Sequence, residues 1–218
     1  MSNILFILTN HGHMLNGEPT GLWLEEHAVP YLAFTRAGHK VTVASVAGGR
    51  VPVDPKSAPT PEQADAWKEP AALLADTPAF DTLDAGAYDV VYLPGGHGTV
   101  FDMPYNKKLH DLLFRFDATG RVIAALCHAP AVFAGMRRPD GSPFIAGRNI
   151  AGFTDAEERA VDGVSKVPFL LESRLTELGA IHHPAADWAS NAIRDGRLVT
   201  GQNPQSSAAA AELVLGLL

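Results

Sequence analysis

Hydrophobic positions in this chain fall into two alternating kinds of run. Short unbroken apolar stretches predict strands at "NILFILT" (3–9), "KVTVASV" (40–46), "YDVVYLPGG" (88–96), "RVIAALC" (121–127) and "RLVTGQNP" (197–204). Between them lie longer segments with apolar residues at helical spacing. These predict helices over "WLEEHAVPYLAFTRAG" (23–38), ended by Gly38, and over "PEQADAWKEPAALLAD" (61–76), interrupted near Pro70. Further helices are expected in "NKKLHDLLFRFDATG" (106–120), from "HAPAVFAGM" (128–136), in "PFLLESRLTELGA" (168–180) and in the closing "QSSAAAAELVLGLL" (205–218). "GGRVPVDP" (48–55) reads as a turn and an edge ribbon.

Strands that are apolar without alternation are buried on both faces, so the pattern predicts a parallel sheet covered by helices on each side. The fold class expected is α/β: a doubly wound, mostly parallel sheet. No internal repeat, low-complexity linker or composition break divides the chain, and one domain over 1–218 is expected. In such sheets the functional crevice lies beyond the carboxyl ends of the strands. The unusual residues of this sequence fall there, at 9–13, 95–98, 127–128 and 200–203.

Charge and composition remove several classes of function. Lys and Arg number 17 against 24 Asp and Glu, a formal net charge of -7, with no basic cluster. That balance argues against nucleic acid and against an anionic membrane surface. The opening "MSNILFILTNHGH" lacks the charged start and cleavage site of a signal peptide, and its apolar run is too short to span a bilayer. A cytoplasmic location is expected. The single cysteine excludes an internal disulfide framework, and no Cys/His ladder suggests structural zinc. His11, His13, His97, His182 and His183 show no helical ligand spacing, so no metal is expected.

That lone thiol, Cys127, closes a strand in "AALCHAPAVF" (124–133). A strand running directly into a helix puts the turn residue at the top of the sheet, in the arrangement of a nucleophile elbow. A following helix would lower the thiol pKa and favour the thiolate. The competing interpretation is a small buried hydrophobe beside a surface histidine. "LPGGHGT" (93–99) ends a neighbouring strand, and the N–H of Gly96 with that of His128 could form an oxyanion hole. "FTDAEE" (153–158) holds candidate acids for orienting His128, although it also reads as a helix start capped by Thr154 or Asp155. On the first helix, a buried stripe of Leu22, Val29, Ala33 and Ala37 would carry Glu26 and leave Glu25 towards solvent. A carboxyl on an apolar face would have a raised pKa and could serve as acid or base.

These segments together resemble the ThiJ/PfpI superfamily, whose fold is flavodoxin-like and similar to the class I glutamine amidotransferase domain. Within it the chain resembles the small heat-shock-chaperone branch, described as glutathione-independent glyoxalases (glyoxalase III). The likeness is carried by "TGLWLEEHAVPYLAFTRAGHKVTVASVAGG" (20–49), "LPGGHGTVFDMP" (93–104), "ALCHAPAVF" (125–133), "GFTDAEE" (152–158) and "LVTGQNPQSS" (198–207). The resemblance implies that Cys127 is the nucleophile, His128 its partner and Glu26 a carboxylate in contact with the thiol. It implies a triad acid at Glu158, with Glu157 as the near alternative, and an oxyanion donor at Gly96. The implied activity is conversion of a small 2-oxoaldehyde, methylglyoxal for preference, to a 2-hydroxy acid. No cofactor is implied, and a homodimer is expected. A holdase chaperone, a protein deglycase and a cysteine peptidase or amidase are the other activities this scaffold suggests.

Overall fold

Residues 1–218 are described by a computed structural model. The chain begins with β1 (Asn3–Leu8), crosses through α1 (Leu24–Arg36) and returns as β2 (Lys40–Ser45). Two short helices follow, α2 (Pro61–Ala66) and α3 (Lys68–Ala72), then β3 (Val90–Leu93), α4 (Thr99–Asp102) and α5 (Lys107–Ala118). β4 (Val122–Leu126) runs into a 3-10 segment over Ala129–Gly135. The remainder comprises β5 (Asn149–Ile150), α6 (Asp155–Ala160), α7 (Leu171–Glu177), β6 (Ile181–His182), β7 (Ala192–Asp195), β8 (Leu198–Gly201) and α8 (Ser207–Leu215).

Six strands form one sheet in the order β2-β1-β3-β4-β8-β7, and β5 pairs with β6 in a small second sheet. β2, β1, β3, β4 and β8 are all parallel; β7 alone is antiparallel, on β8. The order reverses between β1 and β3, which opens a crevice at their carboxyl ends. β3 and β4 are buried at every position, as helices on both faces require. A contiguous core of 52 buried residues packs around the sheet.

The helices follow local rules. In α5, Leu109, Leu112, Leu113 and Phe116 bury one stripe, and the Asn106 side chain accepts the Leu109 N–H to cap its start. α1 buries His27, Ala28, Tyr31 and Phe34, a stripe rotated from the expected one, while Val29 and Ala33 are half-buried and Ala37 is exposed. Glu26 is fully buried on that rotated stripe. Pro30 lies four residues beyond it and supplies no N–H to the Glu26 carbonyl.

Two local expectations differ from the structure, and one strand was not expected. The 48–55 segment forms no ribbon strand; it makes only isolated bridges, Gly49 with Thr77 and Val53 with Leu22. The helical stretch after Pro61 breaks at Trp67, not at Pro70, because Pro70 sits in the first turn of α3, where its missing N–H costs no helical bond. The antiparallel β7 carries the polar "AIRD" pattern of an edge strand, with no apolar run to announce it.

Candidate active site

Cys127 directly follows β4, with His128 between it and the 3-10 segment, and its backbone stands at φ 58°. A non-glycine residue there costs on the order of 1–3 kcal/mol and persists only where surrounding contacts hold it. Two do: the Cys127 N–H donates to the Gly201 carbonyl at 2.9 Å, and the Cys127 carbonyl accepts the Phe153 N–H at 3.0 Å. The strained turn therefore hangs between β8 and the segment preceding α6.

That turn brings its neighbour's ring back onto the thiol. Cys127 Sγ lies 3.3 Å from His128 Nδ1, and His128 Nε2 lies 2.7 Å from Glu158 Oε2. Burial alone would push the Glu158 carboxyl up, but the His128 and His97 rings together hold it well below its ordinary value. An ionised Glu158 accepts the proton on Nε2, which leaves Nδ1 free to accept from the thiol. Burial, then the neighbouring His97, lowers the His128 pKa against the pull of Glu158, so the ring is neutral and ready to take a proton.

Glu26 approaches from the other side. Its Oε2 accepts the Gly95 N–H at 2.8 Å, while Oε1 is buried without a hydrogen-bond partner of its own. Burial raises this carboxyl to about 8, against the Gly95 N–H and the adjacent Cys127 thiol, which both lower it. At neutral pH it carries a proton. Burial also pushes the Cys127 thiol above its ordinary value, and the Gly96 N–H opposes that rise. This direction runs against the thiolate that a helix start would favour. The following segment is a seven-residue 3-10 turn with a small dipole, and the sulfur sits in a dry site where the charged form is disfavoured.

Two glycines make this close approach possible. A Cβ on Gly95 would stand 2.3 Å from the Leu126 carbonyl oxygen and 2.8 Å from Glu26 Oε2. Gly96 has φ 104°, and a Cβ there would meet the Gly21 carbonyl oxygen at 2.3 Å. The expected site residues Cys127, His128, Glu26, Glu158 and Gly96 are thus brought to one place.

Glu157 is elsewhere. Thr154 caps α6 in a box with Glu157, so "FTDAEE" is both a capped helix start and the source of the acid, on adjacent residues. Glu157 is fully buried and points away from His128. Its Oε1 accepts the Trp188 N–H at 2.9 Å, Gln202 Nε2 at 3.1 Å and Asn203 Nδ2 at 2.7 Å, and its Oε2 accepts from Thr154.

His97 is a member of the site that its sequence position concealed. It had the profile of a loop histidine, yet its Nε2 lies 2.8 Å from Glu158 Oε1 and its ring stands 4.1 Å from that of His128. The usable signal was its place in the Gly-Gly-His turn at the end of a central strand. The Phe153 ring centroid lies 4.3 Å from that of His128 and 5.8 Å from that of Trp188, neither of them marked by any motif. Ligand atoms of His97, His128 and Glu158 lie within 4.8 Å of one another and could hold a cation. Both carboxylate oxygens already accept the two imidazoles, so a cation there would compete with the orientation of His128.

Comparison with known proteins finds relatives that match the chain over nearly its full length. Glyoxalase 3 of Candida albicans is 31% identical over 99% of this chain and 98% of its own length. A crystal structure of glyoxalase III from Candida albicans, 31% identical, superimposes with a TM-score of 0.87 over 99% of this chain and 96% of that one. The glutathione-independent glyoxalase HSP31 of Saccharomyces cerevisiae is 32% identical, covering 94% of this chain and 92% of its own. The Francisella tularensis Rapid Encystment Protein 24 KDa is 32% identical with a TM-score of 0.92, over 98% and 97% of the two chains. The DJ-1/PfpI family profile matches residues 21–216, nearly the whole chain from the segment before α1 to the end of α8, and the protein belongs to the DJ-1/PfpI family.

Proposed function

We propose that this protein is a glutathione-independent glyoxalase that converts methylglyoxal or a related small 2-oxoaldehyde to the 2-hydroxy acid. The observation that carries this reading is the pairing around one buried thiol: a neutral imidazole at 3.3 Å and a carboxyl that holds its proton to about 8. The protein supplies its own thiol where other routes need glutathione, and it places a base and an acid beside it. The names of the full-length relatives support the same reading. Only 3% of Cys127 is exposed, which suits a three-carbon aldehyde better than a glycated protein side chain or a peptide.

In this mechanism His128 takes the thiol proton as sulfur adds to the aldehyde carbon, then returns it to the new hemithioacetal oxygen. The N–H groups of Gly96 and His128 receive the negative charge that develops there. His128 next removes the hydrogen from the first carbon while Glu26 protonates the oxygen on the second, giving an enediol. His128 delivers its proton to the second carbon, and Glu26 recovers one from the first oxygen. The product is a thioester, which water cleaves to the 2-hydroxy acid and free Cys127. Oxidation of one carbon balances reduction of the other, so no cofactor enters. No helix is long and apolar enough to cross a membrane, and we place the reaction in the cytoplasm, where a lone thiol stays reduced.

The test is incubation with methylglyoxal in EDTA and without glutathione, following lactate. Lactate in stoichiometric yield is expected; none above a Cys127→Ala control would leave the hydrolase or chaperone activities in front.

The two adjacent acids separate cleanly. Glu158→Gln removes the charge that orients His128, and kcat should fall at least about tenfold with little change in melting. Glu157→Gln keeps one oxygen for the Trp188, Gln202 and Asn203 donors but turns its amide N–H towards the Thr154 N–H, so it should melt earlier and keep most of its kcat. A loss of kcat confined to Glu157→Gln would remove Glu158 from the mechanism.

A further inference from the structure

We propose that Gly163 is a positioning residue for His128, acting through Glu158: the lack of a side chain at 163 lets that carboxylate reach His97 and His128 at once. α6 ends in a Schellman turn. The Gly163 N–H donates to the Glu158 carbonyl at 2.9 Å and the Asp162 N–H to the Arg159 carbonyl at 3.1 Å. Asp162 between them takes the left-handed conformation of such a turn, at φ 55°. The turn folds its last residue back over the residue whose carbonyl it bonds, and an apolar pair commonly fills that contact. Here the pair is Gly163 and Glu158.

Backbone conformation does not call for glycine at 163, which lies outside the positive-φ region. Space is the reason. A Cβ at 163 would fall on Glu158 Oε1, far inside contact distance, and would stand 2.8 Å from Glu158 Cδ. Oε1 is the oxygen that meets His97, and Oε2 of the same carboxylate meets His128. A single methyl group at 163 therefore displaces the acid from both rings. The backbone is not the part that yields, because it is held on both sides of Gly163. Besides its own N–H bond, the Gly163 carbonyl accepts the Lys166 N–H at 2.7 Å, and the Lys166 carbonyl accepts the Leu15 N–H at 2.9 Å. The glutamate side chain is the flexible partner, so it moves while the fold stays. Once it has moved, the His128 tautomer is no longer fixed, and Nδ1 is no longer held ready to accept from the thiol. The consequence for turnover rests on the glyoxalase reading; the consequence for the thiol does not.

Gly163→Ala, Glu158→Gln, the double variant and Asp162→Ala are compared with the wild type. The measurements are kcat and KM for methylglyoxal, the rate at which iodoacetamide alkylates Cys127 at pH 7, and Tm. Gly163→Ala should lower kcat and the alkylation rate at least about tenfold, with KM and Tm little changed. Added to Glu158→Gln it should cost nothing further, since the charge it displaces is already gone. Asp162→Ala disturbs the same turn without placing an atom on Glu158, so it should melt earlier and keep its kcat. A kcat for Gly163→Ala near that of wild type overturns the proposal, as does a loss that adds to that of Glu158→Gln. An equal loss in Asp162→Ala, or a Tm of Gly163→Ala that falls with its kcat, also overturns it, by making the turn itself the part that matters. If the wild type turns over no methylglyoxal, the glyoxalase reading fails, and the alkylation rates decide the role of Gly163 by the same criteria.

Discussion

Cys127→Ala is expected to abolish turnover of methylglyoxal, and His128→Ala to lower kcat about 10²–10⁴-fold, because the thiol is not ionised before substrate arrives. Burial raises the thiol pKa and favours the proton on sulfur. Attack therefore depends on proton transfer to His128 Nδ1, 3.3 Å away, in the same step. A protein with a resting thiolate would behave differently, retaining fast alkylation after loss of the imidazole. Here the alkylation rate of Cys127 should climb with pH without levelling off near neutrality, and His128→Ala should slow it at pH 7. A plateau below pH 7 in the wild type would show a preformed thiolate and reduce His128 to a later role.

Replacement of Glu26 by glutamine is expected to move both activity and stability, in opposite directions. The carboxyl is raised from 4.5 to about 8, so between those values the native state holds a proton that the unfolded chain has lost. Stability then falls as pH rises through this window, by up to about 1.4 kcal/mol per pH unit. Below pH 4.5 both states are protonated and the slope vanishes; above about 8 both are ionised and it vanishes again. Glu26→Gln removes the titration while its side-chain carbonyl can still accept the Gly95 N–H. Its Tm should rise relative to wild type across pH 5–8, at about 2–4 °C per kcal/mol for a chain of this size. Turnover should drop at least about tenfold, because the amide cannot donate and recover a proton. In the wild type, kcat/KM should decline above about pH 8 as the acid ionises. A Tm difference that stays flat from pH 5 to 8 would show that Glu26 does not hold its proton in the folded protein.

The periodicity of apolar residues was enough to place the five parallel strands and the main helices, because double burial writes itself as unbroken runs of Val, Ile, Leu and Ala. It was enough to put Cys127 at a strand end and to suspect Glu26, because a carboxyl on an apolar face stands out locally. Charge and the single cysteine similarly narrowed the chemistry without any coordinates. Other features depended on contacts that no local pattern encodes. The phase of α1 was settled by what it packs against, so Glu26 is buried on a stripe with His27, Tyr31 and Phe34. The upward push on the thiol pKa comes from a dry site, whose effect runs against that of the short 3-10 segment. Glu157 and Glu158 are neighbours of the same type, and only the folded chain sends one to His128 and the other to Trp188, Gln202 and Asn203. His97 and Phe153 meet His128 across 31 and 25 positions of sequence, at distances fixed by how loops converge above the sheet. The sequence by itself determined the strands, the helices and the reactive residue types, since these follow from burial and backbone preference within a segment. Which carboxyl keeps its proton, which one orients the imidazole and which one anchors the loop were decided by tertiary structure alone, because desolvation and hydrogen-bond partners belong to the assembled site.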